Sequence, residues 1–172
     1  MPHIAPAQPA DLPEIARLVN TAYRSREGWT HEADLIDGQR TSTDDLEREL
    51  STPESTLIFC LRDTQPGPIQ ACVLLRDKPR HIYLGMLSVS PAAMNKGFGR
   101  QLLEFSEAYA QTHGADRVVM TVLHVRDELI AWYERRGYRR TGECIPFPHD
   151  NEGLGIPHRS DLAFIVLEKL LA

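Results

Sequence analysis

The sequence has few cysteines, no long apolar run and no basic excess. Its three cysteines among 172 residues are odd in number and form no Cys-x-x-Cys pair, which argues against a disulfide framework and a structural zinc site. The seven histidines show no His-x-x-x-His spacing, so no metal is expected. No stretch reaches the roughly 18 apolar residues of a membrane-spanning helix, and the N-terminus lacks the features of a signal peptide. We therefore expect a cytoplasmic protein that uses no metal and binds no membrane.

The charge balance argues against a nucleic-acid binder. The formal net charge is −5, whereas nucleic-acid-binding proteins usually carry a basic stripe. The densest basic cluster, Arg135-Arg136 with Arg139-Arg140, has acidic residues around it. An acidic surface attracts a cationic substrate weakly and at long range, so the composition points to a cationic substrate.

The apolar pattern predicts one α/β domain that spans residues 1–172. The length and the 42% hydrophobic content are ordinary for a single domain with its own core. Near the N-terminus, Asp11 and Glu14 have the spacing of a capping box at the start of a first helix. The polar, glycine-containing stretch over 27–40 is expected to be a loop or a broken helix.

The other elements are strands and helices in a recognisable order. Short connections between three successive strand-like runs suggest antiparallel neighbours, and helices follow two of the later strands. The predicted order is β-α-α-β-β-β-α-β-α-β-β, an α/β fold with a mixed, largely antiparallel central sheet flanked by helices. The predicted strands lie near 3–6, 56–62, 69–76, 81–89, 118–125, 138–144 and 162–168, and the predicted helices begin near Asp11, Thr43, Gly97 and Asp127.

A glycine-rich turn follows the strand at 81–89. The segment Asn95-Lys96-Gly97-Phe98-Gly99-Arg100 joins that strand to a helix, and glycine lets the backbone approach a ligand closely. The free N–H groups and the dipole of a helix N-terminus favour an anion, and Lys96 and Arg100 add positive charge. A phosphate group fits these features, although the pattern is neither a Walker loop nor a complete Rossmann fingerprint. A junction in which glycine only relieves strain is the alternative.

The stretch from Met86 to Gly142 resembles the GNAT superfamily of N-acetyltransferases. In that family a turn written Q/R-x-x-G-x-G/A wraps the pyrophosphate of acetyl-CoA; Gly97 and Gly99 match its glycines, while Met94 replaces Gln or Arg. The resemblance implies that acetyl-CoA is the co-substrate, and that main-chain groups of the preceding strand bind its pantetheine arm and polarise the thioester carbonyl. The cofactor-binding residues expected on this basis are Leu87, Ser88, Val89, Asn95, Lys96, Gly97, Phe98, Gly99, Arg100 and Arg126.

Residues 126–138 resemble the second cofactor segment of the same family and contain Tyr-Glu-x-x-Gly-Tyr. In the family, the tyrosine that corresponds to Tyr133 often protonates the CoA thiolate as it leaves, which a nearby phenol can do as a general acid. The alternative is a core tyrosine, three residues after Ile130. Arg126 stands where many members carry an asparagine that contacts the cofactor. It could reach a phosphate or the pantetheine, or point to solvent.

The motifs do not contain an obvious general base. An amine attacks a thioester only in its neutral form, yet Tyr83 stands where some family members carry a glutamate. Histidine has a suitable ordinary pKa, so His124 is one candidate and Glu32 another. Neither residue is needed as a base if a chain of water molecules takes the proton, or if the acceptor amine arrives already deprotonated. A histidine in an apolar run is more often a hydrogen-bonded core residue.

The early loop at 27–40 is expected to cover the acceptor site, as its counterpart does in the family. It carries an aromatic side chain at Trp29, a carboxylate at Glu32 that could hold an ammonium group, and Arg40, which could hold a carboxylate. Its Gly-Trp-Thr-x-Glu and Gly-x-Arg-Thr patterns resemble those of a subset of small acetyltransferases. The alternative is a solvated loop with Trp29 folded onto the core.

These features predict an acetyl-CoA-dependent N-acetyltransferase that transfers the acetyl group directly to a primary amine of a small molecule. No cysteine lies in the motifs, which disfavours a covalent acetyl-enzyme. A homodimer is compatible with the resemblance. Two alternatives stay open: a CoA-binding sensor or interaction protein without catalysis, and an enzyme that acetylates a protein or peptide.

Overall fold

A computed structural model describes the chain over residues 1–52, 55–148 and 154–172. Over these ranges the strands are β1 (His3–Pro6), β2 (Ile36–Asp37), β3 (Thr56–Arg62), β4 (Ile69–Asp77), β5 (His81–Val89), β6 (Arg117–Leu123), β7 (Arg139–Pro146), β8 (Ile156–Pro157) and β9 (Ala163–Leu170). The helices are α1 (Leu12–Arg24), α2 (Thr43–Leu50), α3 (Phe98–Thr112) and α4 (Asp127–Glu134), with short 3-10 turns at Pro9–Asp11 and Pro91–Ala93. In these ranges no helix is long and apolar enough to cross a membrane.

Seven of the strands form one sheet in the order β1-β3-β4-β5-β6-β9-β7. Neighbouring strands are antiparallel, except for β5 and β6, which are parallel. The parallel pair is joined through α3, since parallel strands need a crossover rather than a hairpin. The predicted mixed, largely antiparallel sheet flanked by helices is therefore confirmed.

Helices cover both faces of this sheet, because its central strands alternate apolar side chains between two cores. From β3, Phe59 and Leu61 pack in the core that includes α3 and α4. Ile58 and Cys60, one residue out of phase, pack in the core that includes α1 and α2. Cys60 lies directly opposite Cys72 of β4, and burial raises the pKa of Cys60 to about 12. Both cysteines act as small buried hydrophobes.

The starts of α1 and α4 differ in detail from the prediction. Asp11 occupies the N-cap position of α1, but its side chain makes no capping hydrogen bond; its carboxylate instead accepts the Gln8 N–H at 2.8 Å and pairs with Arg62 at 2.7 Å. The Glu14 carboxylate accepts the N–H of Ile69 at 2.8 Å, so the predicted capping box is wrong. The Pro9–Asp11 turn precedes α1 and redirects both carboxylates toward the sheet.

At α4 the N-cap position belongs to Arg126, and Asp127 occupies the first turn. The helix dipole stabilises an acidic residue in the first turn. The helix therefore starts where the sequence pattern indicated, but a different residue occupies the N-cap position.

The early loop contains a short strand that local pattern does not predict. Ile36 and Asp37 pair with Pro157 and Ile156 in a two-stranded ribbon, and Ile36 is buried beside Leu123 and Phe147. The partner strand is some 120 residues away in sequence, so the ribbon depends on the tertiary fold. It holds the early loop near Leu123, the last residue of β6.

Candidate active site

The sheet opens between its two parallel strands. β5 and β6 pair only over three residues, with His81–Tyr83 opposite Arg117–Val119, although β5 continues to Val89. On its other edge, β5 has two residues, Met86 and Leu87, opposite the single Val73 of β4. Such a bulge bends a strand and increases its twist, and Met86 adopts a positive φ of 54° there. Beyond Tyr83, β5 therefore diverges from β6.

The divergence leaves main-chain groups of β5 without a strand partner. The N–H of Ser90 bonds the carbonyl of Gln70 on the β4 side at 2.8 Å. Since the main-chain N–H and C=O groups of successive residues in a regular strand face opposite edges, those of Val89 face the open side. An extended ligand can form hydrogen bonds with this edge in the way that an additional strand would.

A cleft of about 660 Å³ occupies the open side. All the predicted cofactor-binding residues line it except Lys96, which lies 3.7 Å from Asp63. The lining predicted from sequence consists of Leu87, Ser88, Val89, Asn95, Gly97, Phe98, Gly99, Arg100 and Arg126. The structure thus brings together two segments that the sequence separates by a helix and a strand.

The glycine-rich turn presents main-chain donors to this cleft. Asn95 and Gly97 have positive φ values of 72° and 78°, and α3 begins directly afterwards without a side-chain cap. The first helical bond runs from the Gln101 N–H to the Gly97 carbonyl at 3.0 Å. Phe98, Gly99 and Arg100 come before Gln101 in the chain, so their N–H groups have no acceptor within the helix. Within the described residues, this is a helix N-terminus ready for an anion.

The sequence reasoning missed three residues on the α4 side of the cleft: Leu129, Trp132 and Arg136. Trp132 packs edge-on against Trp29 at 6.5 Å between ring centroids, and the Arg136 guanidinium lies 3.9 Å above the Trp132 ring. Burial, then Arg135 and Arg100, lower the pKa of Arg136. The signal for Trp132 was present, since it directly precedes the tyrosine of the second motif.

A second, inner cavity of about 200 Å³ lies beyond the cleft. The two spaces share five wall residues: Tyr23, Leu87, Leu129, Arg126 and Tyr133. Tyr133 is only 4% exposed, and burial raises its pKa far above the ordinary value, so its hydroxyl stays protonated. No other described residue forms a hydrogen bond with that hydroxyl. The structure therefore places a neutral phenol where the cleft meets the inner cavity.

A buried ion network forms the polar wall of the inner cavity. Glu32 is 5% exposed, and its two oxygens lie 3.1 Å from Arg24 Nε and 3.1 Å from Arg126 Nη1. Arg126 Nη2 also donates to the Thr30 carbonyl at 2.9 Å, and Arg24 donates to the carbonyls of Gly38 and Leu154. Both carboxylate oxygens of Glu32 are thus already used, and the network ties the early loop to α1 and α4.

The early loop is also fixed by backbone contact. A Cβ at Gly28 would lie 2.3 Å from the carbonyl oxygen of Ala22 in α1, so only glycine allows this approach. Trp29 follows and is 51% exposed, at the rim of the cleft rather than in the inner cavity. Arg40 lines the inner cavity and lies 5.5 Å from the ring of Tyr23.

The remaining candidate, His124, lies outside both cavities. Its Nδ1 is 3.2 Å from the carbonyl oxygen and from the amide nitrogen of Ala163. Tyr83 and Thr121 do line the inner cavity, and their hydroxyl oxygens lie 3.2 Å apart. The described residues contain no group of three or more His, Cys, Asp or Glu side chains placed to hold a metal.

Comparison with known proteins gives one sequence family and many structural neighbours. The sequence model of the acetyltransferase (GNAT) family matches residues 13–138, and no curated protein matches the chain. The ribosomal-protein-S18-alanine N-acetyltransferase from Escherichia coli is 19% identical, with a TM-score of 0.70 over 100% of this chain and 95% of that one. For an N-acetyltransferase from Staphylococcus aureus Mu50 these values are 15%, 0.72, 99% and 97%. For the IAA acetyltransferase from Bacillus cereus ATCC 14579 they are 16%, 0.69, 99% and 100%. At these identities the structural likeness shows a shared fold.

Proposed function

This chain belongs to the GNAT family of acetyltransferases, and from that premise we propose an N-acetyltransferase that uses acetyl-CoA and acts on a primary amine of a small molecule. The observation that carries the proposal is the meeting of two cavities at one protonated phenol, Tyr133. The larger cleft suits an extended donor, and the smaller inner cavity suits a compact acceptor. A cytoplasmic location stays a prediction from the sequence.

We assign the cleft to acetyl-CoA. Main-chain groups of Leu87–Val89 that face the open edge would bond the pantetheine arm, and the N–H groups of Phe98–Arg100 would bind the pyrophosphate. Both sets are main-chain donors fixed by the fold, so the loss of Gln or Arg at Met94 leaves the proposed phosphate site intact. The cation of Arg136, fixed on Trp132, lies in the same cleft and adds positive charge.

The proposed reaction is direct transfer in a ternary complex. The acceptor nitrogen forms a bond to the thioester carbon, and an N–H group of β5 stabilises the charge on the carbonyl oxygen. The C–S bond then breaks, and Tyr133 donates its proton to the departing sulfur. Tyr133 regains a proton from solvent, and the amine loses one.

The contacts favour neither Glu32 nor His124 as the group that takes the amine proton. Both Glu32 oxygens bond guanidinium groups, and the Nδ1 atom of His124 faces the backbone of Ala163. The proposal instead uses the positive wall of the inner cavity. Nearby cations disfavour an ammonium ion, so the bound amine would lose its proton to water without a dedicated base.

A thiol-release assay tests the function. Purified protein is incubated with acetyl-CoA and a panel of amino acids, polyamines and peptides, and free CoA thiol is measured against a reaction without amine. We expect amine-dependent release with a small acceptor. If acetyl-CoA binds by calorimetry and no member of the panel accelerates release, the enzyme assignment fails and a CoA-binding sensor is favoured. Preference for peptides would favour a protein N-acetyltransferase.

A further inference from the structure

The inner cavity has more positive than negative charge in its wall. Its charged lining consists, among the described residues, of three arginines and one carboxylate: Arg24, Arg40, Arg126 and Glu32. The whole chain has a net charge of −5, so this wall has the opposite sign to the molecule as a whole. Net charge alone therefore does not predict the substrate of this site.

The three guanidinium groups lie close enough to affect one another. Burial lowers the pKa of Arg24; Glu32 opposes that shift, and Arg40 and Arg126 add to it. Arg40 and Arg126 both lie over the ring of Tyr23, at 5.5 Å and 5.3 Å. Like charges held this close in a partly dry site are unfavourable unless an anion compensates them.

Glu32 compensates only part of this charge. It bridges Arg24 and Arg126 with its two oxygens, and their side chains are 6% and 8% exposed. That bridge fixes the early loop to α1 and to the start of α4. It does not explain the Arg126 Nε atom, which is buried and has no hydrogen-bond partner among the described residues.

Arg40 is a second arginine of this wall, and its charged group has no evident structural role. Its backbone is held by the side chain of Asn20, which accepts the N–H groups of Arg40 and Thr41 at 2.7 Å and 3.1 Å. Its guanidinium has no carboxylate or carbonyl partner among the described residues. The backbone is therefore anchored while the charged end remains available to the cavity.

We propose that the acceptor is a small primary amine that also carries an anionic group, a carboxylate or a phosphate, which binds Arg40 with support from Arg126. This proposal rests on the assignment of the inner cavity as the acceptor site. A planar guanidinium bonds either group through two parallel N–H donors. The anion would compensate the excess charge, and its amine would face Tyr133 across the same cavity.

The first test measures acceptor binding without turnover. Matched compounds are titrated calorimetrically into protein saturated with CoA, which cannot donate an acetyl group. β-Alanine is compared with β-alaninamide, glycine with glycinamide, and O-phosphoethanolamine with ethanolamine, each dissociation constant being referred to the neutral amine fraction. We expect at least one anionic member to bind about tenfold or more tightly than its neutral partner. The carboxylate and phosphate pairs show which anion the site takes. Equal binding within every pair, or no binding by any compound, overturns the inference.

The second test uses a variant with a matched control. Arg40→Gln should reduce the preference for the anionic member by about 10- to 100-fold, the range for one charge-assisted hydrogen bond, and Arg40→Lys should retain part of it. Arg48→Gln removes an exposed arginine of α2 and should change nothing. An unchanged preference in Arg40→Gln, or an equal loss of CoA affinity, overturns the role of Arg40. The wild-type comparison stands even if a variant fails to fold.

Failure of the function is separate from failure of this inference. If thiol release occurs equally well with neutral and anionic amines, the enzyme assignment holds and the anionic acceptor does not. If anionic amines bind selectively and no thiol is released, the acceptor site holds and catalysis does not.

Discussion

The two cavities are built from different parts of the chain and in different ways. The end of the cleft that we propose for the pyrophosphate comes from one continuous segment, and its donors are main-chain N–H groups between Asn95 and Arg100. The polar wall of the inner cavity comes from side chains on α1, the early loop and the N-cap of α4, held together by Glu32.

This difference determines what each site tolerates. A main-chain site depends on backbone shape, so we expect it to tolerate many side-chain changes, the Met94 replacement among them. A site made of buried side chains depends on the charge of each member, because removing one leaves its partners unpaired in a low-dielectric place. The cleft should therefore be robust to substitution, and the inner cavity should be sensitive.

The largest effect is expected where the two sites meet. Tyr133→Phe removes the proposed proton donor and keeps the buried ring, so the fold should survive. General acid catalysis contributes about 100- to 10,000-fold, and a loss confined to the transition state lowers kcat and kcat/KM together. We expect kcat to fall in that range while the calorimetric Kd for acetyl-CoA stays within about twofold.

A kcat within about threefold of wild type would remove Tyr133 as the acid, since threefold is less than about 1 kcal/mol. Water would then become the favoured donor. Tyr138→Phe is a useful control, because Tyr138 is a buried aromatic whose hydroxyl donates to Glu107 and which lines neither cavity.

The buried network should be sensitive to loss of its carboxylate. Glu32→Ala leaves Arg24 and Arg126 buried without their shared partner, and breaking such a pair costs about 3–5 kcal/mol. We expect a loss of that size in the free energy of unfolding, measured by urea denaturation. Asp34→Ala, in the same loop, removes an exposed pair with Arg26 and should cost less than about 1 kcal/mol. Equal, small losses in both variants would contradict the claim that the buried charges of the inner cavity depend on one another.

The same contrast explains which features could be predicted from sequence. The turn at Gly97 and the β5 strand that precedes it are contiguous, so their chemistry can be derived from a short motif. The Glu32–Arg126 pair joins residues 94 positions apart, and the Ile36–Pro157 pairing is similarly remote. Neither has a local pattern. Glu32 and Arg126 were both singled out as candidate site residues, and only their positions in space show that they are partners.

The proposed pyrophosphate site can be disrupted by adding a side chain at Gly99 rather than by removing a contact. A Cβ at Gly99 would meet Val89 at 3.4 Å and Trp132 at 3.9 Å, both of which are cleft walls. Gly99→Ala should therefore fold normally, whereas Gly99→Glu places bulk and negative charge beside the proposed pyrophosphate site. We expect Gly99→Glu to weaken CoA binding by at least about tenfold, equivalent to about 1.4 kcal/mol, with less effect from Gly99→Ala. An unchanged CoA affinity in folded Gly99→Glu would refute the assignment of the phosphate site.

The smallest effect is expected at the ribbon that supports the inner cavity. His158 Nε2 lies 2.8 Å from a carboxylate oxygen of Asp37, and His158 Nδ1 lies 3.0 Å from the carbonyl oxygen of Asp34. Both partners are acceptors, so the imidazole satisfies both only when it carries two protons. The hydrogen bond to Asp37, then the one to Asp34, accordingly raise the pKa of His158 above 6.5.

The sign of the pH effect follows from that direction. A group whose pKa is raised by folding stabilises the fold fully below its unfolded pKa, and this contribution is lost as the pH rises through the folded pKa. The β2–β8 ribbon should therefore loosen slightly as the pH rises from about 6.5 through the raised value. Asp37 adjoins Gly38, whose carbonyl accepts from Arg24, so the loosening would reach the edge of the buried network. An NMR titration of the His158 ring, with amide exchange at Ile36 and Asp37, measures both quantities. In Asp37→Asn the His158 pKa should fall toward its ordinary value, and a wild-type pKa at or below 6.5 would show that the ribbon does not hold the charged imidazole.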